Sequence, residues 1–184
     1  MSTTSPEARD VTLEDILAAR ERIAGLAVGT PLKPSWVLSE RLGRSVSLKL
    51  ENCQPTGAFK VRGAANALLN LAEETRRRGV TTFSSGNHGR ALAYVAQALG
   101  VPAVICLSEL VPPVKVEAIR RLGAEVVVSG PDQDVAERAA HELARDRGLT
   151  YISPFDDPAV IAGQGTLALE VLEQCPEGDT LVVQ

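Results

Sequence analysis

Two stretches of the chain bring together residues whose types could do chemistry. The first is Pro55-Thr56-Gly57-Ala58-Phe59-Lys60-Val61-Arg62-Gly63-Ala64, in which Lys60 opens a helix beside Phe59 and close to two glycines. A lysine held near apolar surface at the positive end of a helix is expected to have a depressed pKa, which suits a Schiff-base amine. Taken alone, a lysine at a helix start is far more often a solvated cation. The second stretch is Ser84-Ser85-Gly86-Asn87-His88-Gly89, with two hydroxyls, an amide, an imidazole and two glycines where another helix begins. Its glycines let the backbone wrap closely, and the free N–H groups and helix dipole favour an anion. No lysine follows as in a triphosphate-binding loop, so a carboxylate suits the cradle better. A capped helix with a tight turn would read the same way.

Other chemical signals weaken on inspection. Gly163-Gln164-Gly165-Thr166-Leu167-Ala168 matches the dinucleotide-binding pattern, but no convincing strand precedes it and no acidic residue lies near position 183. Close helix packing explains these glycines better. His141 lies in a charged helix and reads as a surface residue. Cys53, Cys106 and Cys175 are far apart, fitting neither a zinc site nor a disulfide frame, and read as reduced thiols.

The elements that must position these residues are legible from periodicity. Thr12 with Asp15 is a capping-box start for a helix carrying Leu13, Ile16, Leu17 and Ile23, which Gly25 or Gly29 ends. Val46, Leu48 and Leu50 alternate as in a half-buried strand. A turn at Gln54–Gly57 precedes one helix marked by Ala64, Ala65, Leu68, Leu69 and Ala72 and closed by Arg76-Arg77-Arg78-Gly79. Strands are then expected at Val80–Phe83, Ala103–Leu107, Glu125–Val128 and Thr150–Ile152. Helices are expected between them at Gly89–Leu99, Pro113–Leu122 and Asp134–Arg147, with Gly100, Gly123 and Gly148 as stops. That alternation means right-handed βαβ crossovers and a parallel sheet. A further helix runs from Pro158 to about Cys175, and Thr180–Val183 reads as a strand. Ligands in such folds bind outside the carboxyl ends of the strands, where Ser84–Gly89 falls.

Composition excludes several function classes. The 184 residues are 45% hydrophobic and 23% charged, ordinary for a globular chain. A net charge of -4 with 3% aromatics argues against nucleic-acid binding. No apolar run is long enough for a membrane helix, and Met1–Asp10 has no signal-peptide pattern, so a cytoplasmic location is expected.

Together the two chemical stretches make the chain resemble the fold-type II pyridoxal-phosphate enzymes, most of all the serine/threonine dehydratase and serine racemase group. The likeness runs from about Thr12 to Gln184. Beyond those stretches it includes Leu50-Glu51-Asn52 with Gln54, Leu122-Gly123-Ala124-Glu125-Val126, Pro154-Phe155-Asp156-Asp157 and Ile161-Ala162-Gly163-Gln164-Gly165-Thr166. Gly89-Arg90-Ala91, and Leu110-Val111-Pro112 with Lys115, are similar to the hydroxyectoine-utilisation dehydratases.

The resemblance implies an α/β fold with a three-layer open parallel sheet, like the tryptophan synthase β chain, and pyridoxal 5'-phosphate as cofactor. Lys60 would form the Schiff base and later act as base at the substrate Cα. Phe59 would pack beside the cofactor ring, and Asn87 would hydrogen-bond its phenolic oxygen. Ser84, Ser85, Asn87 and His88 would hold the substrate carboxylate. Ser85 stands where racemases handle the proton on the face opposite the lysine. Ala58 replaces the serine of many relatives and Arg90 their glutamine, and either change could alter substrate choice. No metal ligand is implied.

The implied reaction is dehydration and deamination of a 3-hydroxy amino acid of the threonine or serine type to a 2-oxo acid and ammonia. A racemase and a non-catalytic ligand-binding module are the alternatives. The family's glycine-rich phosphate loop should begin where the chain stops at Gln184, so an N-terminal fragment, inactive alone, is expected. Residues 1–75 would then begin a larger cofactor domain, 76–153 would form a small α/β domain, and 154–184 would return to the larger one. The full-length protein is expected to be a homodimer.

Overall fold

The computed structural model describes residues 10–84 and 86–183. The first described helix is capped by Thr12, whose hydroxyl accepts from the Asp15 N–H at 3.3 Å while the Asp15 carboxylate accepts the Thr12 N–H at 3.0 Å. This reciprocal cap starts α1 (Leu13–Arg22) where the capping residues foretell it. Next come β1 (Leu32–Pro34), α2 (Trp36–Leu42) and β2 (Ser47–Lys49), with β1 and β2 paired antiparallel. The alternation at Val46–Leu50 anticipates β2. The three residues of β1 and seven of α2 are too short to show a period.

A 3-10 turn at Glu51–Cys53 leads into a tight bend, in which the Gly57 N–H donates to the Gln54 carbonyl at 2.8 Å. Gly57 has φ +71°, a conformation that costs a side chain and suits glycine. It delivers the chain to α3 (Lys60–Asn70), so Lys60 is the first helical residue. The single helix expected through Arg78 is instead two, α3 and α4 (Glu73–Arg78). Leu71 leaves helical space at φ -71°, ψ 143° and packs against the core, and the chain restarts at Ala72.

The rest of the chain alternates as the sequence pattern requires. In order come β3 (Val80–Phe83), α5 (Asn87–Leu99), β4 (Ala103–Leu107), α6 (Pro113–Arg121), β5 (Glu125–Val128), α7 (Gln133–Arg147), β6 (Thr150–Tyr151) and α8 (Pro158–Gln174). Gly100 and Gly148 end α5 and α7 in the left-handed conformation, at φ 65° and 67°. The four strands form one parallel sheet in the order β5-β4-β3-β6. The chain thus steps outward from β3 through β4 to β5, then returns to the opposite side of β3.

Strand residues alternate between two cores, as the period of two demands. Val80, Ile105 and Leu107 join a large core with residues of α3 and α5. Phe83 and Cys106 face the other way, onto Ala136 and Ala140 of α7. Helix, sheet and helix make the three layers expected of this α/β class.

Helix α8 packs on both α3 and α1, and its glycines explain how. A Cβ on Gly163 would meet the Arg62 carbonyl oxygen at 2.5 Å and the Gly63 Cα at 2.7 Å, and one on Gly165 would meet Ile16 Cδ1 at 2.8 Å. The dinucleotide-like pattern is therefore a packing device. The strand expected at Thr180–Val183 does not form: these residues pair with no strand among the described residues, and Val182 and Val183 are exposed. Among the described residues no helix is long and apolar enough to cross a membrane.

Candidate active site

The loops after β3 and β6 meet at the point where the strand order reverses, the usual ligand crevice of open parallel sheets. Lys60 reaches this crevice from the start of α3, and its Nζ donates to the Pro154 carbonyl, in the loop after β6, at 2.7 Å. The amine lies 5.3 Å from the centroid of the Phe59 ring. Burial lowers its pKa from the usual lysine value, the direction a nucleophile or base requires. The chain has four lysines, and the other three differ in setting. Lys33 and Lys115 are exposed, and Lys49 is tied to Glu170 at 2.5 Å and to the Thr30 carbonyl at 2.6 Å.

The loop after β3 forms the facing wall. The Ser84 hydroxyl is buried and accepts the Gly86 N–H at 3.1 Å, which folds the loop back while leaving the hydroxyl proton able to donate. Asn87 opens α5 and is exposed. Unlike α1, α7 and α8, which Thr12, Asp132 and Asp157 cap, α5 has no side-chain cap among the described residues. Its first N–H groups remain available to an anion. Gly89 has to be glycine, since a Cβ there would stand 2.8 Å from Ile105 Cγ2 and 3.0 Å from Ser84 Cβ. Ser85 lies outside the described residues.

His88 is the most unusual side chain of the site. It is 3% exposed, and among the described residues neither ring nitrogen has a hydrogen-bond partner. Burial and the Lys60 charge push its pKa down to about 3, against a smaller opposing influence of the Ile152 backbone. The ring is therefore neutral, carries one N–H to donate, and sits near Lys60. An unpaired buried polar group costs about 1–3 kcal/mol, which an incoming ligand could recover.

Behind Lys60 lies a buried charge network that the sequence reading does not include. Arg62 is 2% exposed and donates Nε and Nη2 to Glu51 at 2.9 and 2.8 Å, and Nη1 to Glu170 at 2.7 Å. Thr30 donates its hydroxyl to Glu51 at 2.5 Å. Burial opposes the charge on Glu170, but the Arg62 and Lys49 hydrogen bonds outweigh it and the net pKa is lowered. These contacts tie α3 to the turn before it and to α8. An arginine among Val61, Gly63, Ala64 and Ala65 is the signal that could have revealed a buried pair.

Comparison with known proteins gives this geometry a family. A family model described as pyridoxal-phosphate dependent enzyme matches residues 23–184, and the chain belongs to that family. It is 43% identical to the L-threonine ammonia-lyase of Thermotoga maritima, over 94% of this chain and 43% of that protein. It is likewise 43% identical to the serine racemase of Schizosaccharomyces pombe, over 94% of this chain and 53% of that protein. Among solved structures, a pyridoxal 5'-phosphate-dependent aspartate racemase superposes with a TM-score of 0.87 at 42% identity, over 94% of this chain and 54% of that one. The chain spans about half the length of the curated relatives it matches. Its fold is that of the fold-type II enzymes, and the cofactor of the family is pyridoxal phosphate.

Proposed function

We propose that the protein is a dehydratase (ammonia-lyase) that converts a 3-hydroxy amino acid of the serine or threonine type into a 2-oxo acid and ammonia. The observation that carries this reading is the pairing of a half-buried amine of lowered pKa, Lys60, with an uncapped helix start and an unpartnered buried imidazole, His88. The same features fit pyridoxal phosphate: Lys60 would hold it, with Phe59 beside it and Asn87 in reach of its ring. When bound, it supplies an aldehyde for the Lys60 amine and a ring that accepts the electron pair left at the substrate Cα.

The chain's own residues would do the rest. The first N–H groups of α5, with Ser84, Ser85, Asn87 and His88, hold and orient the substrate carboxylate. Lys60 would take the Cα proton of the substrate, a step that its lowered pKa favours. Loss of the 3-hydroxyl as water and hydrolysis of the C–N bond then give the 2-oxo acid and ammonia.

In this reading residues 76–153 form a small domain, and 1–75 and 154–184 belong to a larger one. The whole protein would act as a homodimer in the cytoplasm, where the three free cysteines would stay reduced. The test is incubation of the whole, full-length protein, loaded with cofactor, with L-serine or L-threonine. Equal yields of 2-oxo acid and ammonia, both lost in Lys60→Ala, support the proposal, and absence of both products refutes it.

The likeness to two racemases favours a second reading, in which Ser85 returns a proton on the face opposite Lys60. That reading requires the enantiomer without 2-oxo acid, and its loss in Ser85→Ala.

A further inference from the structure

Helix α3, which carries Lys60, starts unlike the other helices among the described residues. In each of the other seven, the N–H four residues past the N-cap bonds back to the N-cap carbonyl, at 2.8–3.3 Å. In α3 the Phe59 carbonyl takes the Arg62 N–H instead, at 3.0 Å. The Gly63 N–H turns to the neighbouring helix α8, where Gln164 Oε1 accepts it at 3.2 Å. The first turn of α3 is thus tightened, and a side chain distant in sequence stands in for the usual helical acceptor.

The two helices are built for this contact. A Cβ on Gly63 would stand 2.6 Å from Gln164 Nε2 and 2.9 Å from Val160 Cγ1, so the position must be glycine. Gly163 faces it across the same gap, where a Cβ would lie 2.7 Å from the Gly63 Cα. A glutamine between packed helices is ordinarily a spacer whose amide pairs fully. Gln164 is set apart because its Nε2 is buried with no hydrogen-bond partner among the described residues, a cost that a leucine or methionine would avoid. The oxygen is the half of the amide in use, since a backbone N–H can face only an acceptor.

Lys60 opens the turn that Gln164 holds, and Gly63 closes it. The Lys60 Nζ meets the Pro154 carbonyl at 2.7 Å, so the amine and the turn that bears it are both fixed by one stretch of chain, 154–164. From this geometry we infer that Gln164 is a positioning residue for Lys60: its side-chain carbonyl fixes the first turn of α3 and so aims the amine into the crevice. The half-burial that lowers the Lys60 pKa depends on the same aim. The inference rests on the reading of Lys60 as the residue that holds the cofactor, and adds what holds Lys60.

The test uses the whole, full-length protein, freed of cofactor and remixed with pyridoxal phosphate. Stopped-flow absorbance over a pH series gives the rate of Schiff-base formation, and borohydride trapping with peptide mass spectrometry gives its site. The alkaline plateau, where the amine is neutral in every variant, reads its placement, and the midpoint reads its pKa. Gln164→Met removes the acceptor at nearly constant volume, and Gln164→Glu keeps an acceptor oxygen at the same reach. Gln164→Met should lower the plateau rate roughly tenfold or more and raise the midpoint, while Gln164→Glu stays within about threefold of the wild-type plateau. A role in packing alone would lower thermal stability and leave plateau and midpoint unmoved. A folded Gln164→Met protein with the wild-type plateau and midpoint therefore overturns the inference, as does Gln164→Glu falling as far as Gln164→Met. Should Gln164→Met not fold, Gln164→Asn, which keeps the amide but withdraws its oxygen by one methylene, is judged by the same readings. Trapping of the wild-type label at another lysine overturns the Lys60 reading itself, and this inference with it.

Discussion

Mild acid should destabilise this protein through His88 before its carboxylates begin to protonate. The ring is 3% exposed, and burial together with the Lys60 charge takes its pKa from 6.5 down to about 3. The unfolded chain therefore binds a proton below pH 6.5 that the folded chain refuses until about pH 3. This source of stability is whole above pH 6.5 and is lost as the pH falls, at about 1.4 kcal/mol per pH unit. From pH 7.5 to pH 5 the loss comes to about 2 kcal/mol, or about thirtyfold in the unfolding constant. The only other histidine, His141, is exposed on α7. Urea unfolding of the cofactor-free protein at pH 7.5, 6 and 5, at constant ionic strength, measures the slope. In His88→Gln the slope should disappear whatever the baseline stability. A wild-type change below about 0.5 kcal/mol over that range, or an unchanged slope in the variant, would refute the reasoning.

Two further outcomes follow from packing and charge. Gly163→Ala should destabilise by about 1–3 kcal/mol or more, because its methyl would meet backbone atoms of Arg62 and Gly63 that cannot swing away. Gly29→Ala, with nothing within 4 Å of the new Cβ, should be neutral or slightly stabilising, and thermal unfolding separates the two. Arg62→Met should cost about 3–5 kcal/mol, since Glu51 would keep its buried charge without a cation beside it and Glu170 would be left with Lys49 alone. Adding Glu51→Gln should recover part of that loss in denaturant titrations, because the uncompensated charge is then gone, whereas Glu170 must stay to pair with Lys49.

Most of the parallel sheet could be read from the chain because its signals are local. β3, β4 and β5 fall on their apolar runs, and Gly100 and Gly148 end helices in the one conformation that favours glycine. The break at Leu71 could not be read, since it depends on a core contact rather than on any breaker residue. Nor could the Arg62 network, whose partners lie 11 and 108 residues away and share no period. Lys60 and the Ser84–Gly89 loop stood out by residue type. Their meeting across the crevice, and the burial of His88, needed the strand order that only the fold supplies.

The central claim is that Lys60 is the residue that holds the cofactor. Borohydride reduction of the protein loaded with pyridoxal phosphate, followed by peptide mass spectrometry, locates the attached group among the chain's four lysines. The account predicts a single modified position, Lys60, and loss of the protein-bound cofactor absorbance in Lys60→Ala. Modification at Lys33, Lys49 or Lys115 instead, or a Lys60→Ala variant that retains the label, would contradict it.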